Sequence, residues 1–249
     1  MGNQVTLFER ETFLGGQLQR WTSARYLNEG RKVIGWWTEE LKRLEVDVRL
    51  GSEATAATIQ ALSPDIVILA SGSRPRRIET PGDGSVRQVD VWEAFADLRG
   101  KTAVIADEMG RQDGFHLVEK LVEDFLQVHL VTSCIHVGEG EGVGTLPPTL
   151  MRMERLKVGL IERARPVRVE ARRVVVQGLF GGDPKVIEGV DVIVHWAGGI
   201  SDDGLAEELR SAGIAVEVIG DASLPRRMYN AVQEAATTAR SAFQDLVPV

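Results

Sequence analysis

Two hydrophobic periods alternate along this chain, and the switches between them mark out its elements. Val5-Thr6-Leu7-Phe8 is a short apolar, β-favouring run closed by Glu9, and it predicts a buried strand. Gly15-Gly16 then let the backbone turn or approach a ligand closely. From Leu18 to Leu44 the period becomes helical, with Val33, Ile34, Trp37, Leu41 and Leu44 as one buried stripe and Glu39 and Arg43 on an exposed face. Of Trp36 and Trp37, one packs in the core and the other covers a neighbouring element. Val46–Leu50 alternates as a strand, and Ser52–Leu62 is a short helix. Asp65–Ala70 is a continuous apolar run, the signature of a strand covered on both faces in a parallel sheet. Ser71-Gly72-Ser73-Arg74-Pro75 breaks it, because proline cannot continue into a sheet interior.

Residues 76–100 are loop-rich, with a short helix around Val91–Leu98, and form the candidate crossover between domains. Lys101–Ala106, Phe115–Phe125 and Val128–Thr132 read as strand, helix and strand, a βαβ unit that begins a second parallel sheet. Glycines 138, 140, 142 and 144 interleave with Glu139 and Glu141, a poor phosphate cradle that reads as a mobile surface loop. Pro147-Pro148 opens a helix to about Arg163. Val167–Val169 and Arg173–Gln177 predict small antiparallel strands with a turn at Gly181-Gly182. Asp191–His195 is a buried strand ended by Gly198-Gly199. Asp202–Ala212 is a helix capped by Asp202 or Asp203, Ala215–Ile219 a last strand ended by Gly220-Asp221, and Pro225 starts a helix to about Phe243.

With 249 residues, the chain suffices for one large or two small domains. A formal charge of −7 argues against nucleic acid and anionic membrane as partners. Cys134 is the single cysteine, so the chain has no internal disulfide and no all-cysteine metal or iron–sulfur site; it reads as structural. The four histidines show no metal-ligand spacing, and no Ser or Asp spacing builds a triad around them. No apolar run reaches membrane-spanning length and no signal pattern opens the chain, so a cytoplasmic protein is expected.

A strand ending in an acid is what a dinucleotide-binding fold places second, where the carboxylate accepts from an adenosine ribose. The glycine-rich turn that holds the pyrophosphate belongs about 20 residues upstream of that acid. Taken in order, Glu9 with Gly15-Gly16-Gln17, then Ala70-Ser71-Gly72-Ser73-Arg74-Pro75, then Gly220-Asp221 with Pro225-Arg226 resemble one half of the fused iron–sulfur flavoproteins. These are 2,4-dienoyl-CoA reductase, the trimethylamine, dimethylamine and histamine dehydrogenases, and related enoate reductases. The resembling part is their C-terminal, flavin-disulfide-reductase-like portion, which binds FAD or ADP, and the likeness covers nearly the whole chain.

The resemblance implies site roles. Glu9 matches the acid on the adenosine ribose. Arg10 flanks the adenine or a phosphate, or is a surface charge. Gly15, Gly16 and Gln17 match the turn near the nucleotide phosphates, where Gln17 donates to them or caps the following helix. Ser71 and Gly72 match the turn that closes over the dinucleotide. Asp221 matches the acid near the ribityl or phosphate region, or caps the last helix, and Arg226 is the basic residue best placed to steer an anion. No catalytic residue and no metal ligand is expected. FMN and an iron–sulfur cluster are expected on a partner chain, in a hetero-oligomer.

Two departures from the family pattern shape the expected function. The family's first strand and its Gly-x-Gly-x-x-Gly turn have no counterpart, and Gly2 reads as the last glycine before the second strand. Since the first strand is internal in the usual order, either another chain supplies that βα unit, or the gap is filled differently, or the chain does not bind a dinucleotide tightly; donation by a partner subunit is the favoured expectation. After Lys101–Ala106 the second fingerprint reads Asp107-Glu-Met-Gly-Arg-Gln-Asp-Gly114, with acids where pyrophosphate would come. NAD(P)H binding is therefore not expected. The architecture expected is α/β, a Rossmann-like FAD/NAD(P)-binding fold of two nested parallel-sheet domains. Residues 1–98 plus 189–249 form the discontinuous nucleotide domain and 99–188 an inserted NAD-domain-like unit. The function expected is an accessory or electron-transfer subunit of a flavin- and iron–sulfur-dependent oxidoreductase. The alternatives are a self-sufficient FAD-dependent NAD(P)H oxidoreductase and a structural subunit without ligand.

Overall fold

The computed structural model describes residues 3–24, 29–96 and 98–241. Gly2, the far end of the last helix at Phe243 and part of the Leu18–Leu44 stretch lie outside the described residues. In chain order the elements begin with β1 (Thr6–Phe8), α1 (Gly16–Trp21), α2 (Gly30–Arg43), β2 (Asp47–Arg49), α3 (Ala56–Gln60), β3 (Val67–Leu69), β4 (Ser73–Pro75), β5 (Arg87–Asp90) and α4 (Val91–Ala94). They continue with β6 (Gly100–Asp107), α5 (Gln112–Leu121), β7 (Phe125–Thr132), α6 (Leu146–Arg155), β8 (Gly159–Ile161), β9 (Ala164–Glu170), β10 (Arg173–Gly178) and β11 (Lys185–Ile187). The last are β12 (Val192–Trp196), β13 (Gly199–Ser201), α7 (Gly204–Ser211), β14 (Val216–Val218) and α8 (Met228–Ser241).

Contacts divide the chain into two compact units. The first holds the chain up to Leu14, Glu40–Arg74 and the part from Gly199 onward; the second holds Gly15–Glu39 and Pro75–Gly198. In the first unit β1 pairs in parallel with β2, and β3 in parallel with β14. β4 pairs with β13. α3 starts on a reciprocal cap, in which Thr55 Oγ1 accepts from the Thr58 amide and Thr58 Oγ1 from the Thr55 amide. Leu69, Ile59, Leu209 and Ala222 are buried here.

The second unit is built on a five-stranded sheet in the order β5-β12-β6-β7-β8, parallel throughout. Its strands are apolar on both faces because both are covered. Ala103 and Ile105 of β6, Leu130 of β7 and Val194 of β12 pack with Phe115, Leu117, Val118 and Leu121 of α5 and Met153 of α6. The alternate residues Val104, Ala106, Val131 and Ile193 pack with Val169, Val174, Val176 and Ile187 of the antiparallel sheet β11-β10-β9. Trp21 sets its ring edge-on to Phe95 at 4.8 Å and to Trp196 at 5.8 Å.

Several elements differ from the sequence reading, each for a non-local or backbone reason. β5 and β12, assigned by sequence to the outer segments, are hydrogen-bonded members of the five-stranded sheet. α6 stops at Arg155, because Lys157 takes a left-handed backbone (φ 55°) and Gly159–Ile161 pairs with β7 as a strand. The β9–β10 turn is at Ala171-Arg172, both at positive φ, whereas Gly181-Gly182 lies between β10 and β11. In α2 only Ile34 is buried; Val33 and Trp36 are exposed, and so is Leu44 just beyond its end. Asp203 holds the N-cap position of α7 without a side-chain bond. No helix among the described residues is long and apolar enough to cross a membrane.

Candidate functional site

In the first unit, three candidate segments each follow the carboxyl end of a parallel strand, where ligands bind in open α/β sheets. Glu9 follows β1, Ser71-Gly72 follows β3, and Gly220-Asp221 follows β14. Glu9 is fixed from both sides: its amide donates to the Arg49 carbonyl (2.9 Å), and its carbonyl accepts from the Ser52 amide (2.9 Å). Its half-buried side chain turns back, so that Oε1 accepts from the Glu11 amide (2.9 Å). An ionised carboxylate has about four lone-pair sites, so one amide bond orients this acid and leaves acceptor capacity for hydroxyls.

Asp202 ties the first two segments together, a role the sequence did not disclose. Its carboxylate lies 4.0 Å from the Arg10 guanidinium, an exposed pair that adds little stability. Its amide donates to the Gly72 carbonyl (3.0 Å), and its carbonyl accepts from the Ser71 hydroxyl. Gly72 sits at φ +85°, a backbone that a side chain would strain.

Asp221 lies in a 3-10 turn, Gly220–Ala222. Its Oδ2 accepts from the buried Ser73 hydroxyl (3.2 Å) and its Oδ1 from the Arg226 amide (3.1 Å). Asp221 therefore caps the turn leading into α8. The Arg226 guanidinium is bound to Glu234 of α8, whose other oxygen accepts from the Gly220 amide (2.8 Å). Arg226 thus anchors the glycine–acid turn to α8, and its charge is shared with a carboxylate. Close approach is built in at Gly199, where a Cβ would stand 2.8 Å from Ser73 Oγ and 3.2 Å from Pro225. Ser73, Asp202 and Glu234 were missed as site residues because their roles come from distant contacts, Ser73 and Asp221 being 148 residues apart.

Gly15, Gly16 and Gln17 belong to the second unit. Gly15 (φ +113°) and Gly16 (φ +48°) have the positive φ that glycine supplies, and Gly16-Gln17 opens α1. In the same unit the turn after β6 is closed by carboxylates. Asp107 is 3% exposed; its Oδ1 accepts from the Met109 amide (2.9 Å) and the Gly110 amide (3.1 Å). Glu141 Oε1 accepts from the Gln112 amide (2.9 Å) at the start of α5. The Gly140 amide donates to the Gly110 carbonyl (2.8 Å), and Glu139 accepts from the Ile135 amide (2.8 Å). The acidic glycine loop lies at the surface, as the sequence suggests, with Val143 95% exposed, and its first half is bonded to the turn through Gly140 and Glu141.

His195 is buried, His116 and His129 are half-buried, and His136 is exposed. His116 and His195 are pushed down to about 4 by burial, aided at His116 by Arg152, and burial lowers His129 as well. Gln88 Oε1 accepts from the Thr80 amide (2.7 Å), so His195 Nε2–H donates to it (2.8 Å) and the neutral ring carries its proton there. Burial raises the Cys134 thiol, which disfavours a reactive thiolate. Among the described residues no cluster of His, Cys, Asp and Glu could hold a metal ion.

No protein-family model matches the chain. Individual relatives do. It is 30% identical to the bilirubin reductase of Mediterraneibacter gnavus over 226 residues, 88% of this chain and 34% of that protein. It is 31% identical to the NADH oxidase of Thermoanaerobacter brockii over 243 residues, 93% of this chain and 36% of that protein. The histamine dehydrogenase of Rhizobium sp. 4-9 superposes at TM-score 0.86 with 25% identity, over 100% of this chain and 41% of that one. The chain belongs to the FAD-binding portion of the flavin and iron–sulfur oxidoreductase family. Its α/β fold is the Rossmann-like one, shared also with T. acidophilum thioredoxin reductase at TM-score 0.69 and 14% identity. The chain spans about a third of the length of the curated relatives that match most of it.

Proposed function

We propose that this chain is the adenine-nucleotide-holding portion of a flavin- and iron–sulfur-dependent oxidoreductase and serves electron transfer within it. The observation that carries this reading is the placement of Glu9, Ser71-Gly72 and Gly220-Asp221 after the ends of β1, β3 and β14 within one unit. The donor set fits an adenosine nucleotide. Glu9 offers an oriented carboxylate to vicinal hydroxyls, and Gly72 and Gly220 (φ +62°) supply the left-handed backbone of the turns after β3 and β14. Arg10 completes the proposed contacts of this unit by family resemblance; Gly15, Gly16 and Gln17, carried by the second unit, have a phosphate-turn role only as that resemblance implies it. Asp221 and Arg226 hold the turn that faces the ribityl or phosphate region. FAD, when bound, would supply redox capacity; ADP would supply none and would leave a purely structural ligand. This chain's residues would bind and orient the nucleotide.

Substrate chemistry is proposed to lie on FMN and an iron–sulfur cluster carried by a partner chain. That partner would also supply a strand to this fold. β1–β2 and β3–β14 are two-stranded parallel pairs, and each keeps edges without a strand partner among the described residues. Two-stranded parallel sheets are rarely stable alone. Native mass measurement on protein from its source should show a heteromer; a monodisperse monomer retaining FAD would contradict it.

Replacing Glu9→Gln should weaken ADP and FAD binding about tenfold, because a charge-assisted bond to a hydroxyl is worth about 1.5–3 kcal/mol and the amide keeps part of it. Titration calorimetry with ADP reads this directly. Glu9→Gln binding ADP as tightly as the parent would remove Glu9 from the site.

A further inference from the structure

We infer that the turn after β6 is a dinucleotide turn occupied by the chain's own carboxylates, so that the second unit keeps a nucleotide-binding architecture while excluding nicotinamide nucleotides. The inference goes beyond the function proposed above and concerns a different unit. The turn joins β6 to α5 in a parallel βαβ unit, the place where backbone amides and a helix N-terminus take a pyrophosphate. Those donors are already engaged. Asp107 accepts from the Met109 and Gly110 amides, and Glu141 reaches in from the 138–144 loop to accept from Gln112. Asp107 and Glu141 thus stand as two anionic oxygen acceptors where a phosphate would sit.

Space agrees with charge. Gly110 takes φ +59°, yet the volume over it is filled: a Cβ there would lie 2.5 Å from Cys134 Sγ and 3.6 Å from Glu139. A Cβ on Gly114, the last glycine of the turn, would meet the Asp107 carboxylate at 3.2 Å. The loop is bonded down through Gly140 to Gly110. The adjoining cleft at the ends of β6, β7 and β12, about 340 Å³, has Glu79, Asp107 and Glu108 against Arg165 as its charged lining. That surplus of negative charge repels a pyrophosphate.

Two measurements on the full chain test the inference. With FAD saturating the proposed site of the first unit, NADH and ADP-ribose titrated calorimetrically should bind the parent more weakly than about 1 mM, against the micromolar range usual for a cofactor. Asp107→Gly combined with Glu141→Ala frees the amides and should tighten ADP-ribose at least tenfold. A parent protein that binds NADH in the micromolar range overturns the proposal, and so does a folded double variant with no gain. Amide hydrogen exchange on the parent decides the case even where the variant fails to fold. Protected Met109, Gly110 and Gln112 amides support occupancy by the two carboxylates, and rapid exchange at all three overturns it.

Discussion

Replacing Arg152→Met is expected to destabilise the protein by about 3 kcal/mol, within the 3–5 kcal/mol typical of breaking a buried ion pair from one side. The side chain of Glu119 is 1% exposed and that of Arg152 is 37% exposed, with Arg152 Nε donating to Glu119. Glu119 belongs to α5, and its neighbours on the helix, Leu117, Val118 and Leu121, lie in the apolar layer under the sheet. Burial pushes the Glu119 carboxyl up, and Arg152 opposes that push through charge and hydrogen bond. Without Arg152 the carboxylate has no compensating cation and takes up a proton, which limits the loss and places it at the lower end of the range. The cost should therefore grow as pH rises, because the folded state then holds a proton that the unfolded state has released. Urea denaturation at two pH values measures both effects. Adding Glu119→Gln to Arg152→Met should recover most of the loss. A loss under about 1 kcal/mol for Arg152→Met would show that water already reaches Glu119.

The same pair illustrates what the sequence shows and what it hides. The apolar runs at 101–106, 128–132 and 191–195 were legible as strands because a strand buried on both faces has no polar alternation to confuse it. Which sheet each strand joins was not legible. β12 looks like any other buried strand, whereas β5 (Arg87–Asp90) lies in a stretch that reads as loop, and only register across β12–β6 and β12–β5 assigns them to the five-stranded sheet. β4 and β13 carry little hydrophobic signal and exist because they pair with each other. Nothing local in the sequence marks Glu119 for burial; the packing of α6, which brings Arg152 over it, does.

The candidate site divides along the same line. Glu9, Gly72 and Asp221 were visible because an acid or a glycine directly after a strand is a local pattern with a chemical reason. Asp202, Ser73 and Glu234 were not, since each is placed by a partner far away in sequence. Arg226 shows how a charge finds its partner. Its basic charge suggested an anion contact, and the structure sets that charge on Glu234. Glu141 in a glycine-rich loop suggested mobility, and the structure sets its carboxylate on the first turn of α5. Charge type is legible from sequence; the partner that uses the charge is a matter of tertiary contact.

The stability of the parent protein relative to Asp107→Asn is expected to fall by about 2 kcal/mol as pH rises from about 4 to about 6, and to level off near pH 7. Burial is the main reason that the Asp107 carboxyl is pushed up to about 6; the nearby Asp113 charge adds to the push, and the Met109 and Gly110 amides and the Thr132 hydroxyl oppose it. Between the unfolded value near 4 and the folded value near 6, the folded chain holds a proton that the unfolded chain has lost. The folded state then binds more protons, so this group's contribution is present below pH 4 and lost as pH climbs through 6. Asparagine keeps an acceptor oxygen for the two amides and cannot titrate, so the variant's curve lacks this slope. Of the titratable groups facing Asp107, Asp113 lies on α5, and Cys134, beside the turn, titrates far above the window. Asp113 remains in both proteins, and its repulsion is relieved in the variant, which works in the same direction as the main effect. Urea unfolding of the two proteins side by side from pH 4 to pH 7 gives the difference directly, and other carboxyls cancel in it. Parallel curves would mean that the Asp107 carboxylate is hydrated, and that the amides of its turn are open to an outside anion after all.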